Sequence, residues 1–210
     1  MDTTPTGIRL RTMSRQQLLA ILSGPAVVVS MLPVYAGLLR VLPREQAWLC
    51  GFVVYWGLWC VAFPIGLLGA RRVMQLFRRP RWHWGAAALA VVPVLVTFVG
   101  RFVPHGETPS SLPPVVLAVS SCVMGILEEV LWRGLYLELF AGSTRWGLLW
   151  PTLFFALWHF APGMASPLDA RVLVLGAGAF GLVLGWIARR TGSIRWCAAT
   201  HALAGLVRML

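Results

Sequence analysis

Apolar stretches of roughly 20 residues recur along this chain, each about the length a helix needs to cross the hydrocarbon core of a bilayer. They lie near residues 17–39, 48–69, 84–104, 114–140, 146–162, 171–188 and 196–210. Within hydrocarbon every backbone polar group must be satisfied inside the chain, which stretches of this length achieve as helices. The sequence therefore predicts an all-α fold, a polytopic transmembrane helix bundle of about seven spans. Six to eight fit the soft boundaries of the last segments. A chain that is 58% hydrophobic and 12% charged is excluded from the ordinary soluble class. No repeat, low-complexity segment or long linker divides it, so residues 1–210 read as a single integral membrane domain. The polar N-terminus lacks a small-x-small cleavage site and reads as the lead into an uncleaved first span. Gly176, Gly178, Gly181 and Gly185 offer small faces for helix packing.

All 18 basic residues are arginine, and the net charge of +11 calls for an explanation. No RNP, zinc-finger or helix-turn-helix signature accompanies them, so nucleic acid is not an expected partner. Membrane topology accounts for them better. With the N-terminus cytoplasmic, inside segments hold Arg9, Arg11, Arg15, Arg71, Arg72, Arg78, Arg79, Arg81, Arg145, Arg189, Arg190 and Arg195. Outside segments hold Arg40, Arg44, Arg101, Arg171 and Arg208, and Arg133 falls within a span. This twelve-to-five asymmetry follows the positive-inside rule. The Arg71–Arg81 block, followed by Trp82, His83 and Trp84, reads as an interfacial segment against anionic headgroups. Cys50, Cys60, Cys122 and Cys197 lie in apolar segments without a CxxC pair and read as free thiols.

Within this apolar background Glu128 and Glu129 stand adjacent in the fourth span, and Arg133 follows. Charges at membrane depth cost about 2.5–3.5 kcal/mol each, so they are rare and tend to be functional. Glu129 and Arg133 are four apart and share a helix face. Glu128 points about 100° away and can face an internal cavity. There a carboxylate can act as a general base toward water. His159, near the end of the fifth span, can share that water or donate a proton. His201, in the seventh, can steady an oxyanion. Each of these residues also has a plainer reading: a buried pair that locks helices, or a histidine bonded to a neighbouring helix. Glu138 reads as a solvated helix-end charge, and His83 and His105 as solvated loop residues.

Glu128-Glu129-x-x-x-Arg133, then Phe155-x-x-x-His159, then His201 in a later apolar segment resembles the CPBP intramembrane protease family. That family includes the CAAX prenyl endopeptidases of the Ras-converting type and many bacterial members, among them bacteriocin-immunity-like proteins. The resemblance covers a protease core of about residues 114–210; the first three spans match only by hydropathy. It implies that Glu128 activates water with His159, that Glu129 and Arg133 support the site, and that His201 helps to stabilise the oxyanion. The family's last motif usually reads HxxxN, and here Gly205 holds the fifth place. An Asn there would be a second donor, and such a loss typically costs about 10²–10³ in rate. Thr200 and Ser193 are the nearby hydroxyls.

The function expected is therefore an intramembrane endopeptidase that cuts a membrane-associated protein tail with glutamate-activated water. Its partners are that membrane-anchored protein or peptide and the lipid bilayer, and its location is the plasma (inner) membrane of a bacterium. The tail need not be prenylated, since nothing in the sequence reads a prenyl group. No cofactor is expected. Glu128, His159 and His201 would make a His₂Glu zinc set, but no HExxH presents two ligands from one helix. Two alternatives stay open: a catalytically impaired scaffold or immunity-like protein, which Gly205 favours, and a proton-coupled transporter using the Glu pair as a relay. Depth raises one geometric question. By helical rise Glu128 and His159 lie about 18 and 21 Å from the inner face, but His201 only about 9 Å beyond Arg195. The last helix must start earlier, tilt or break for the three to meet.

Overall fold

A computed structural model describes residues 13–100, 112–166 and 169–209. Arg9, Arg11, Arg101 and His105 lie outside the described residues, as does the side chain of Arg208. Each predicted apolar stretch is helical over nearly all of its described residues, and no strand occurs among the described residues. The protein is an all-α membrane helix bundle. Four helices are long and apolar enough to cross a bilayer: α1 (Arg15–Val41), α2 (Arg44–Leu68), α5 (Pro114–Phe140) and α8 (Ala170–Thr191). The others are shorter: α3 (Ala70–Gln75), α4 (Trp84–Gly100), α6 (145–158), α7 (Phe160–Gly163) and α9 (Arg195–Met209).

Local sequence sets the ends of these helices. Ser14 and Gln17 close a reciprocal capping box at the start of α1, which satisfies two otherwise orphaned backbone donors. Gly69 at φ 82° separates α2 from α3, and Gly192 at φ 68° ends α8; both are left-handed backbone that glycine adopts without strain.

Hydrogen bonds then gather one set of helix ends on a single face. Gln16 Nε2 donates to the Leu67 carbonyl and Gln17 Nε2 to that of Leu139. Arg72 pairs with Glu138, Arg78 Nε donates to the Gly192 carbonyl, and Arg189 Nη1 to that of Ser143. The start of α1, the ends of α2, α5 and α8, and the starts of α6 and α9 thus share one side. The described arginines assigned to inside segments lie at these ends or on α3 and the segment that follows it. Glu138, expected to be solvated, is half-buried and ion-paired at 2.9 Å, because Arg72 reaches it from α3. His83 is half-buried too, not a free surface residue: its Nδ1 accepts from the Ala86 N–H, and its ring meets Trp186 edge-on. Trp82 and Trp84, 62% and 77% exposed, stand beside the Arg71–Arg81 block.

The same face answers the depth question. Ser193 and Ile194, just ahead of α9, are fully buried. The Ile194 N–H donates to the Leu76 carbonyl and Ser193 Oγ to that of Arg78, so residues 76–81 cover the entry to α9. The last helix therefore begins below the surface of the bundle, and its second turn reaches the level of Glu129.

Candidate active site

The α5–α9 seam is a close helix contact, and small residues make it so. A methyl group added at Gly125 would come within 2.4 Å of the Ala202 backbone nitrogen. One added at Gly205 would come within 3.1 Å of Ser121 Cβ and 3.4 Å of its Oγ. The pairings Ser121–Gly205 and Gly125–Ala202 run in opposite directions along the two helices, which are antiparallel. Close approach of this kind is how helices associate where hydrocarbon offers no hydrophobic drive.

Just beyond Glu129 the fifth helix loosens into a π-helical stretch, Val130–Leu135. Such wide turns are frequent at functional positions. Glu128 and Glu129 are 1% and 0% exposed, and the whole π stretch is buried. Arg133 Nη1 donates to Glu129 Oε1 at 2.9 Å, and the guanidinium lies 4.1 Å from the centroid of the Phe155 ring. Gly181 on α8 leaves room for both: a Cβ there would sit 3.2 Å from Phe155 and 3.3 Å from Arg133 Nη2.

His201, 7% exposed, reaches the pair from α9. Its Nδ1 lies 2.8 Å from Glu129 Oε1, and its Nε2 3.8 Å from Glu128 Oε2. A carboxylate without a proton only accepts, so the Nδ1–H donates to Glu129. That leaves Nε2 as the ring nitrogen turned toward Glu128. Phe180 closes the ring edge-on at 4.8 Å.

His159 ends α6 beside this group. Its Nδ1 is bonded at 2.7 Å to the Phe155 carbonyl rather than to Glu128. A carbonyl only accepts, so Nδ1 carries the proton and a neutral ring keeps its lone pair on Nε2. Phe155 is the hub between the two imidazoles, 4.8 Å from His159 and 6.3 Å from His201 by ring centroid.

The structure thus joins Glu129, Arg133 and His201 directly, sets Glu128 against His201, and places His159 one aromatic ring away. Both Glu128 oxygens, Glu129 Oε2 and Arg133 Nη2 are buried without a hydrogen-bond partner. Buried polar groups are ordinarily satisfied, so an unpaired set of both signs singles this cluster out as the candidate site. No cluster of three or more His, Cys, Asp or Glu side chains among the described residues is arranged to hold a metal ion.

Three residues here escaped the sequence reading. Ser121 fills the face opposite Gly205, while the two hydroxyls named earlier are engaged elsewhere: Thr200 Oγ1 donates to the Ala90 carbonyl and Ser193 Oγ to that of Arg78. Trp158 and Tyr55 stack at 3.9 Å. Ser121 lies seven residues before Glu128, nearly two full helical turns, and that spacing places it on the same face. Tyr55 belongs to a span without motifs and gave no signal.

Comparison with protein families matches residues 110–207 to a family described as type II CAAX prenyl endopeptidase Rce1-like. No curated protein and no solved structure matches the chain.

Proposed function

We propose that this chain, whose residues 110–207 match the Rce1-like type II CAAX prenyl endopeptidase family, is an intramembrane endopeptidase whose base is Glu128. The observation that carries the reading is the buried, unpartnered Glu128 carboxylate facing the Nε2 of His201 at 3.8 Å.

In the proposed reaction Glu128 takes a proton from water as the water oxygen bonds to the scissile carbonyl carbon. His159, with its lone pair on Nε2, accepts a hydrogen bond from the same water and aims it. The carbonyl oxygen becomes the oxyanion, and His201 in its imidazolium form donates to it through Nε2–H while its Nδ1–H donates to Glu129. Collapse breaks the C–N bond, and Glu128 returns the proton to the leaving amine. Glu129 and Arg133 neutralise each other and fix the histidine. The kit is glutamate, water and imidazole; no metal enters it. The substrate class is the tail of a membrane-anchored protein, lipidated or not. The protein sits in the plasma membrane with its N-terminus, and its arginine-rich face, on the cytoplasmic side.

The test is purified protein in detergent or nanodiscs with a panel of farnesylated and unmodified tail peptides. Cleavage is expected, and Glu128→Gln should lower kcat by about 10²–10⁴, the range of a lost general base. Equal cleavage by wild type and variant would reject the assignment. Full inhibition by 1,10-phenanthroline, reversed by zinc, would reject the metal-free form.

Gly205 favours a second reading, a scaffold or immunity-like protein that keeps the fold without the reaction. It predicts that cells carrying Glu128→Gln or His159→Ala retain the full phenotype.

A further inference from the structure

The indole of Trp158 is fully buried and its Nε1–H has no hydrogen-bond partner. Through Tyr55 and Trp132 it packs against the helix that carries Glu128. Glu128 lacks a partner on either oxygen. The two groups are complementary: an indole N–H only donates, and a carboxylate only accepts. Leaving either unpaired inside a protein is costly, and more so for the charged one.

The indole is not free to turn away. It stacks on Tyr55 with centroids 3.9 Å apart and planes at 21°. Phe52 meets it edge-on at 5.6 Å, and Tyr35 packs at 6.2 Å. Tyr55 is itself held, since its hydroxyl accepts from Trp132 Nε1 at 2.6 Å. Trp132 lies on the same helix as Glu128, one turn on. Tyr35, Phe52 and Tyr55 come from α1 and α2, outside the matched residues 110–207.

We propose that Trp158 is a positioning residue for Glu128: its indole N–H orients the carboxylate, directly or across one water, and Tyr55 locks the indole. On this view, which rests on Glu128 being the base, the first half of the chain is part of the catalytic apparatus. It supplies the wall that fixes the donor.

Trp158→Phe keeps a ring on Tyr55 and removes the N–H. With the farnesylated and unmodified tail peptides as probes, kcat should fall about tenfold, the value of one hydrogen bond, while KM holds. A packing role alone would leave kcat unchanged, and that result overturns the proposal. Should the Phe variant not fold, the isostere benzothienylalanine at 158 replaces N–H by sulfur at constant shape, with the same expectation. Tyr55→Leu should lower kcat as well, and Tyr55→Leu with Trp158→Phe no further than Trp158→Phe alone, because both act through one N–H. Additive losses would overturn the coupling.

A second measurement needs no turnover. In protein labelled with ¹⁵N-tryptophan, the indole peak lost in Trp158→Phe identifies Trp158. That peak should move upfield in Glu128→Leu and stay in place in Glu138→Gln. An unmoved peak in Glu128→Leu overturns the proposal. If wild type cleaves no peptide, the endopeptidase reading fails, and the peak still decides this one.

Discussion

Glu129 Oε1 binds Arg133 at 2.9 Å along its own helix and His201 at 2.8 Å from the last helix, so one oxygen atom ties two membrane segments together. This gives Glu129 more to do than neutralise Arg133. Removing it leaves a buried guanidinium unpaired and a histidine without its orienting partner. Glu129→Ala should therefore cost about 3–5 kcal/mol of stability, the usual penalty for breaking one side of a buried pair. Replacing both charges, as in Glu129→Leu with Arg133→Leu, should restore much of that stability. Peptidase activity should stay lost in both, because His201 is no longer held. Thermal unfolding in detergent and kcat together check this; activity that returns with stability would reduce Glu129 to a counter-ion.

Gly125 is the most constrained residue of the seam, with backbone rather than a movable side chain 2.4 Å from where a Cβ would stand. Gly125→Ala should push α5 and α9 apart. Overpacking of this kind typically costs about 1–3 kcal/mol. Because Ala202 adjoins His201, activity should fall with the melting temperature. A variant with wild-type melting and rate would show that the seam yields without moving the histidine.

Gly205 sits where the related motif carries Asn, and a side chain added there would crowd Ser121. Gly205→Asn alone should lower the melting temperature, since its Cβ would lie 3.1 Å from Ser121 Cβ. Gly205→Asn in a Ser121→Gly background should recover stability and raise kcat above Ser121→Gly alone, by up to about the 10²–10³ that a new oxyanion donor can supply. Melting curves and rates of the three variants check it. No gain in rate would mean that the seam directs residue 205 away from the reaction.

Glu138 offers the contrast. Its pair with Arg72 is partly solvated, with the two side chains 29% and 40% exposed, and exposed pairs contribute about 0–1 kcal/mol. Glu138→Gln should therefore leave kcat unchanged and stability within that margin. A large loss of activity on the same peptides would show that the arginine-rich face communicates with the site.

Much of this protein was legible one residue at a time. Runs of apolar residues near 20 long announced helices and a bilayer, because hydrocarbon tolerates little else. The described arginines assigned to inside segments lie near helix ends that hydrogen bonds from Gln16, Gln17, Arg78 and Arg189 gather on one face. Glu129 and Arg133 met because four residues make about one turn. All of these are local rules, readable from spacing within a single segment.

The rest needed three dimensions. That His201 chooses Glu129 with one nitrogen and faces Glu128 with the other depends on how deep α9 begins, which residues 76–81 decide by covering Ser193 and Ile194. That Ser121 fills the place opposite Gly205, and that Tyr55 supports Trp158, depends on which helices touch and how closely. Contacts between segments far apart in sequence carry no spacing of their own; they exist only where packing at the van der Waals limit selects one approach of two helices over all others.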